Sequence, residues 1–166
     1  MRLLFARHNV KVYRFVLRIV GNEAMAEDLV NEVFVEVWRN AGKFEARSQV
    51  STWMLAIARF RALSALRRRS DDALEDEAAE LIEDKGDDPE VTLQKSDRRA
   101  VLLDCLNQLS PAHREILDLI YYHEKSVEDA ALIVGIPLNT VKTRAFHARK
   151  RLAELMEAKG IERSWL

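Results

Sequence analysis

Residues 126–151 read SVEDAALIVGIPLNTVKTRAFHARKR, two short helices with a tight turn between them. Ser126 is a hydroxyl N-cap with Asp129 three residues on, the spacing of a capping box. Ala130, Ala131, Ile133 and Val134 follow as a small-residue helix able to pack closely. Gly135 supplies a left-handed stop, and Pro137 cannot continue the first helix but can open the second. In the second helix Val141, Ala145, Ala148 and Leu152 fall on one side, while Asn139, Thr140, Lys142, Thr143, Arg144, His147, Arg149 and Lys150 occupy the rest. Such a helix suits a DNA major groove, with short polar groups for base edges and cations for phosphates. A plain helical hairpin with a solvated basic face would share either half of this pattern. The cap, the Gly-x-Pro turn and the one-sided basic helix together point to a helix-turn-helix.

Just upstream, Ser110-Pro111 caps another helix whose core side is Ile116, Leu117, Leu119 and Ile120. A helix over 90–107 precedes it, opened by Asp88-Pro89. Val91, Val101, Leu102, Cys105, Leu106 and Leu109 face inward there, so Cys105 is expected to be a buried, inert thiol. Residues 96–160 thus form one small helical domain, with 161–166 a fraying tail. Residues 70–95 are acidic, hold Gly86 and Pro89, and offer only Leu74, Leu81 and Ile82 as large apolar groups. That is too little for a core, and a flexible linker is expected.

Residues 1–69 form the other domain. In the first helix Leu4, Val12, Phe15, Val16, Ile19 and Val20 recur at helical spacing, and Gly21-Asn22 stops it. A second helix spans 23–39, with Glu23, Glu27 and Asp28 early and Arg39 late, matching the helix dipole. It carries two apolar rows, Met25-Leu29-Val33-Val37 and Val30-Phe34-Trp38, flanked by Asp28, Glu32 and Glu36. So broad a face fits either burial on two sides or partial docking on a basic partner. After a turn at 40–43 and a loop from Phe44, a third helix runs from Trp53 to about Arg69, capped by Ser51 or Thr52. Trp53, Ala56, Ile57, Phe60 and Leu63 share one side, with Trp53 and Ile57 expected in the core. Arg59, Arg61 and Arg67-Arg68-Arg69 point elsewhere. An aromatic loop followed by an Arg-studded helix can hold a single strand and stack an unpaired base.

The chain of 166 residues has a net charge of only −1, but the charges are segregated. Residues 1–69 hold 13 Lys and Arg against 6 Asp and Glu, residues 70–97 hold 2 against 12, and residues 98–166 hold 11 against 9. Two cationic blocks around an anionic strip suit a polyanion partner. With 5 Gly and 3 Pro, a turn-rich β fold is disfavoured. There is no apolar run of membrane-spanning length and no secretory signal. A single cysteine fits a reducing cytoplasm. No phosphate-binding, nucleophile-elbow or metal motif is present, so neither catalysis, a cofactor nor a metal is expected.

Two blocks resemble a known family. AEDLVNEVFVEVWRNAGKF with STWMLAIARFRALSALRRR is similar to region two of the bacterial extracytoplasmic-function (ECF) sigma factors of the sigma-70 family. LSPAHREILDLIYYHEKSVEDAALIVGIPLNTVKTRAFHARKRL is similar to their region four. The resemblance implies an all-α chain of two small helical domains that binds core RNA polymerase and promoter DNA and helps open the duplex. It also implies an anti-sigma partner. Asp28, Asn31, Glu32, Phe34 and Trp38 match the polymerase-docking helix. Phe44, Arg47, Ile57, Ala58, Phe60, Arg61 and Arg67 match the minus-ten reader, with Phe44, Ile57, Ala58 and Phe60 around the pocket for a flipped base. Lys142, Thr143, Phe146 and His147 match the minus-thirty-five reader, beside Arg144, Arg149, Asn139 and Thr140. Asn31 stands where the family usually has Gln, Phe60 where Asn is frequent and His147 where Arg is frequent. A borrowed promoter sequence therefore does not transfer. A stand-alone helix-turn-helix regulator and a purely helical interaction protein are the competing readings.

Overall fold

The computed structural model describes residues 2–73 and 93–161, with side chains described over 2–70 and 99–161. All regular structure among them is helical, in two compact units.

The first unit contains α1 (Arg2–Val20), α2 (Glu23–Asn40) and α3 (Val50–Ala73), with a 3-10 turn at Ala41–Lys43. Each of the three helices touches the other two. Gly21 ends α1 with φ +65°, and the Asn22 side chain accepts from the Met25 N–H at 2.8 Å. Asn22 is thus the N-cap of α2 as well as part of the stop that the sequence suggests. Val12, Phe15, Val16 and Val20 of α1 are buried, as are Leu29, Val30, Val33, Phe34 and Val37 of α2. Both apolar rows of α2 are therefore used inside the bundle, apart from Trp38.

In α3 the inward face differs from the expected one. Thr52, Met54, Leu55, Ala58 and Ala62 are buried, whereas Trp53 and Ile57 are half-buried and Phe60 and Leu63 exposed. Both faces of this helix are apolar, and the alanines win the interior because they let three helix backbones approach closely. The Gln49 carbonyl accepts from Thr52 and Trp53 N–H, so the helix begins at Val50. Ser51 and Thr52 lie inside its first turn instead of capping it. The helix also runs past Arg69 to Ala73.

The second unit is built on α4 (Leu93–Asn107), α5 (Pro111–Leu117), a π turn (Asp118–Tyr122) and α7 (Leu138–Ala158), with most of α6 (Val127–Val134) preceding α7. Residues 74–92 and 162–166, which hold most of the expected linker, the Asp88-Pro89 helix start, Val91 and the tail, lie outside the described residues. Cys105, Leu109 and Leu117 pack with Ala148, Leu152, Leu155 and Met156, and Val101, Leu102 and Leu106 close the edge. Burial pushes the Cys105 thiol above its ordinary pKa, so it stays protonated. Lys159 donates to Asp104 and ties α7 to α4. The π turn is unforeseen. It buries Asp118 and His123, whose Nε2 lies 3.3 Å from Asp118 Oδ2.

The turn motif forms as expected. Ser126 Oγ accepts from the Asp129 N–H at 2.9 Å and donates to its carboxylate at 3.0 Å. Gly135 adopts φ +72°, and a Cβ there would meet nothing within 4 Å. Gly135→Ala is therefore expected to destabilise this unit only through the left-handed backbone, by about 1–2 kcal/mol in a urea titration. Among the described residues no helix is long and apolar enough to cross a membrane.

Candidate nucleic-acid and partner interfaces

On α2, Asp28, Asn31 and Glu32 are exposed. Trp38 is 65% exposed, and Val35, which the sequence reading passed over, is exposed beside it. Phe34 is only 5% exposed. Its ring lies 4.7 Å from that of Phe5 in α1, tilted by 58°. Arg2, Phe5, Asn31, Phe34, Val35 and Trp38 line one shallow groove of about 610 Å³. Three expected docking residues thus come together, but Phe34 acts as the floor of the groove and cannot present its ring freely. Phe5 was legible in the sequence: it stands seven residues before Val12, in line with the apolar row of its own helix.

The outer side of α3 forms a second surface. The Phe44 ring sits 5.1 Å from Trp53, inclined by 35°. Trp53, Ile57 and Phe60 follow one another along the helix, ending in a Phe60 ring that is 66% exposed. Ala46 holds the approach loop with φ +53°, a left-handed conformation unusual for a residue other than glycine. Two expected minus-ten residues, Ala58 and Arg61, are placed differently from the expectation. Ala58 is 0% exposed and belongs to the core, because its position on the helix faces α1 and α2. Arg61 turns to α2, with Nε 2.5 Å from Glu36 Oε2 and Nη1 3.9 Å from Glu32 Oε2, drawn there by the two carboxylates. Arg47 pairs with Glu45 at 2.6 Å while remaining exposed. Arg67 is exposed.

On α7, Val141, Ala145, Ala148 and Leu152 are buried as expected, with Leu155 and Met156 extending the stripe. Asn139, Lys142, Thr143, Phe146, His147 and Arg149 are exposed, while Thr140 and Arg144 are half-buried. Thr143 Oγ1 donates to the Asn139 carbonyl at 2.9 Å, which fixes its rotamer and leaves its oxygen able to accept. The Phe146 and His147 rings meet edge to face at 5.4 Å. His147 also shares a cleft of about 600 Å³ with Ser110, His113 and Lys150, next to Arg151 and Glu154. Helical periodicity alone carries no sign that the start of α5 meets this helix.

Two family models match, Sigma-70 region 2 over residues 4–71 and Sigma-70 region 4 over residues 99–152. An RNA polymerase sigma factor of Myxococcus xanthus, CarQ, is 35% identical, the match spanning 92% of this chain and 87% of that protein. An ECF RNA polymerase sigma factor of Mycobacterium tuberculosis, SigL, is 27% identical over 98% of this chain and 92% of its own. Among solved structures, the sigma factor RpoE of Bartonella quintana in complex with the anti-sigma factor NepR superposes with a TM-score of 0.74 at 26% identity, covering 94% of this chain and 96% of that one. Both regions occur in order, and a relative above 30% identity spans nearly the whole chain. The chain therefore belongs to the ECF RNA polymerase sigma factors.

Proposed function

We propose that this chain is a promoter-specificity subunit, directing core RNA polymerase to its start sites and helping to open the duplex. It works in the cytoplasm and carries no catalytic chemistry of its own. One observation supports the division of labour: among the exposed apolar groups of the first unit, two sets are gathered with other apolar side chains, one in the α2 groove and one beside Phe44, Trp53 and Ile57. Val35 and Trp38 lie exposed on α2, and Phe60 lies exposed on the outer side of α3. Single exposed apolar side chains are ordinary, but apolar groups gathered into a patch mark a surface that another molecule covers. The α2 groove suits a protein partner, with Asp28 and Glu32 meeting its cations. The aromatic strip of Phe44, Trp53, Ile57 and Phe60 suits an unpaired base. Flipping a base out of the duplex costs a few kcal/mol, which stacking of about 1–3 kcal/mol per base and phosphate contacts offset. The α7 surface reads the second element as duplex. Joining two weak readers in one chain raises the effective concentration of the second once the first is bound.

Matches to both sigma regions, not to the helix-turn-helix alone, disfavour a stand-alone regulator. By likeness to the complex from Bartonella quintana, we extend to this chain a protein inhibitor of the anti-sigma kind. Run-off transcription with purified core polymerase on genomic fragments tests the assignment. Start sites that depend on the added chain and share two upstream elements are expected. Their absence would overturn the reading.

The charge pattern adds a further expectation. Residues 71–88 hold 10 Asp and Glu against 1 Lys, and this anionic connector competes with DNA for the basic faces. Deleting it is expected to raise the free protein's DNA affinity severalfold at low salt and less at high salt. Equal affinities across a salt titration would remove the idea.

A further inference from the structure

Arg61 belongs to α3, yet its guanidinium is held by α2. Its Nε lies 2.5 Å from Glu36 Oε2 and its Nη1 3.9 Å from Glu32 Oε2. Glu32 and Glu36 are one helical turn apart, where like charges repel. One cation between them removes that repulsion and fastens two helices. The three side chains line a cleft of about 660 Å³ that also includes Asn31, Arg39 and Arg68. The pair is only partly open to water, with about a third of the Arg61 side chain and a quarter of Glu36 accessible. The residues flanking Arg61 are committed elsewhere: Phe60 stands on the outer aromatic strip and Ala62 is buried in the core. One ion pair therefore joins the helix assigned to polymerase with the helix assigned to the unpaired strand.

We propose that Arg61 is a positioning residue for promoter opening and not a ligand of DNA. Its clasp on Glu36, shared with Glu32, fixes the rotation of α3 on α2, so that Phe60 and Ile57 keep the orientation that receives a base. The proposal rests on the function proposed above and deepens it. A DNA ligand in this position would have to abandon its hydrogen bond to Glu36 and the nearby charge of Glu32, and those carboxylates would then face the strand it holds.

The test uses holoenzyme reconstituted from core polymerase and full-length chain, on a promoter identified by run-off mapping. Strand opening is followed by permanganate reactivity of unpaired thymines, at a temperature where circular dichroism shows every variant fully folded. Arg61→Gln and Glu36→Gln are each expected to lower opening by about three- to fivefold, the scale of a half-exposed ion pair. The double variant is expected to be no worse than either single one. The reversed pair, Arg61→Glu with Glu36→Arg, is expected to recover most of the loss, and the salt slope of DNA binding stays that of the unmodified chain throughout. A DNA ligand gives the opposite pattern. Glu36→Gln is then neutral or favourable, Arg61→Gln alone impairs opening, and the salt slope falls by about one charge. That pattern, or additive effects without recovery, overturns the clasp. If the unmodified chain opens no promoter at all, the function proposed above fails instead, and the two failures are told apart by that control.

Discussion

Replacing Trp38 with Asp is expected to weaken binding to core polymerase by about 30- to 1,000-fold, the range for losing a central aromatic anchor worth about 2–4 kcal/mol. The unfolding midpoint in urea should barely change. The indole is 65% exposed in the free chain, so its removal leaves no cavity and a carboxylate there is hydrated. In a docked groove the same carboxylate would be stripped of water beside Phe5, Phe34 and Val35, where an unpaired charge is strongly unfavourable. Val35→Asp should behave alike. Phe34→Asp should not, although the sequence marks Phe34 as equally involved. Its ring is buried under Phe5, and a carboxylate in that place would destabilise the whole unit. Loss of binding in that variant would report unfolding, not contact. Titration of labelled chain with core polymerase, beside urea curves, separates these cases. Unchanged affinity in both Trp38→Asp and Val35→Asp would remove this face of α2 from the interface.

The contrast between Trp38 and Phe34 shows what a linear sequence reveals and what it hides. Several helix boundaries were legible from chemical punctuation: the Ser126 cap, the left-handed Gly135 and the Ser110-Pro111 start all form as their residue types require, whereas Ser51 and Thr52 fall inside the first turn of α3. The stripe on α7 was legible too, because its other side is so polar that only one face can be buried. In α3 two faces are apolar. Trp53, Ile57 and Phe60 on one side compete with Met54, Leu55, Ala58 and Ala62 on the other, and size alone favours burying the aromatics. Packing favours the alanines, because a three-helix core needs close approach more than bulk. The consequence reached the site. Trp53 and Ile57, expected in the core, lie half-buried along the outer strip, and Ala58, matched to the pocket, is core. Arg61 and the buried Asp118–His123 pair were hidden for a different reason. Each depends on a partner whose distance depends on tertiary or turn geometry and not on helical periodicity.

The exposed end of the α3 strip carries the second large effect. Phe60→Ala should reduce open complexes by about 5- to 150-fold, given about 1–3 kcal/mol for each stacked base. Affinity for core polymerase should stay unchanged, and duplex binding through α7 should change little. Since 66% of Phe60 lies in solvent, truncation leaves the three-helix core as it was, and the loss falls on the strand that the ring would hold. Phe60→Asn adds a sharper test. Asn is frequent at this position in the family that the chain resembles, and its amide can pair with a base edge. A phenyl ring reads only the flat face of a base, so the unmodified chain should tolerate several bases at the flipped position. The Asn variant should discriminate among them. Selection of opened promoters from a library randomised at the upstream elements measures both properties at once. If Phe60→Ala opened promoters normally and Phe60→Asn kept the same base tolerance, the aromatic side of α3 would not be where the strand is held. The reader of unpaired bases would then have to lie elsewhere on the first unit.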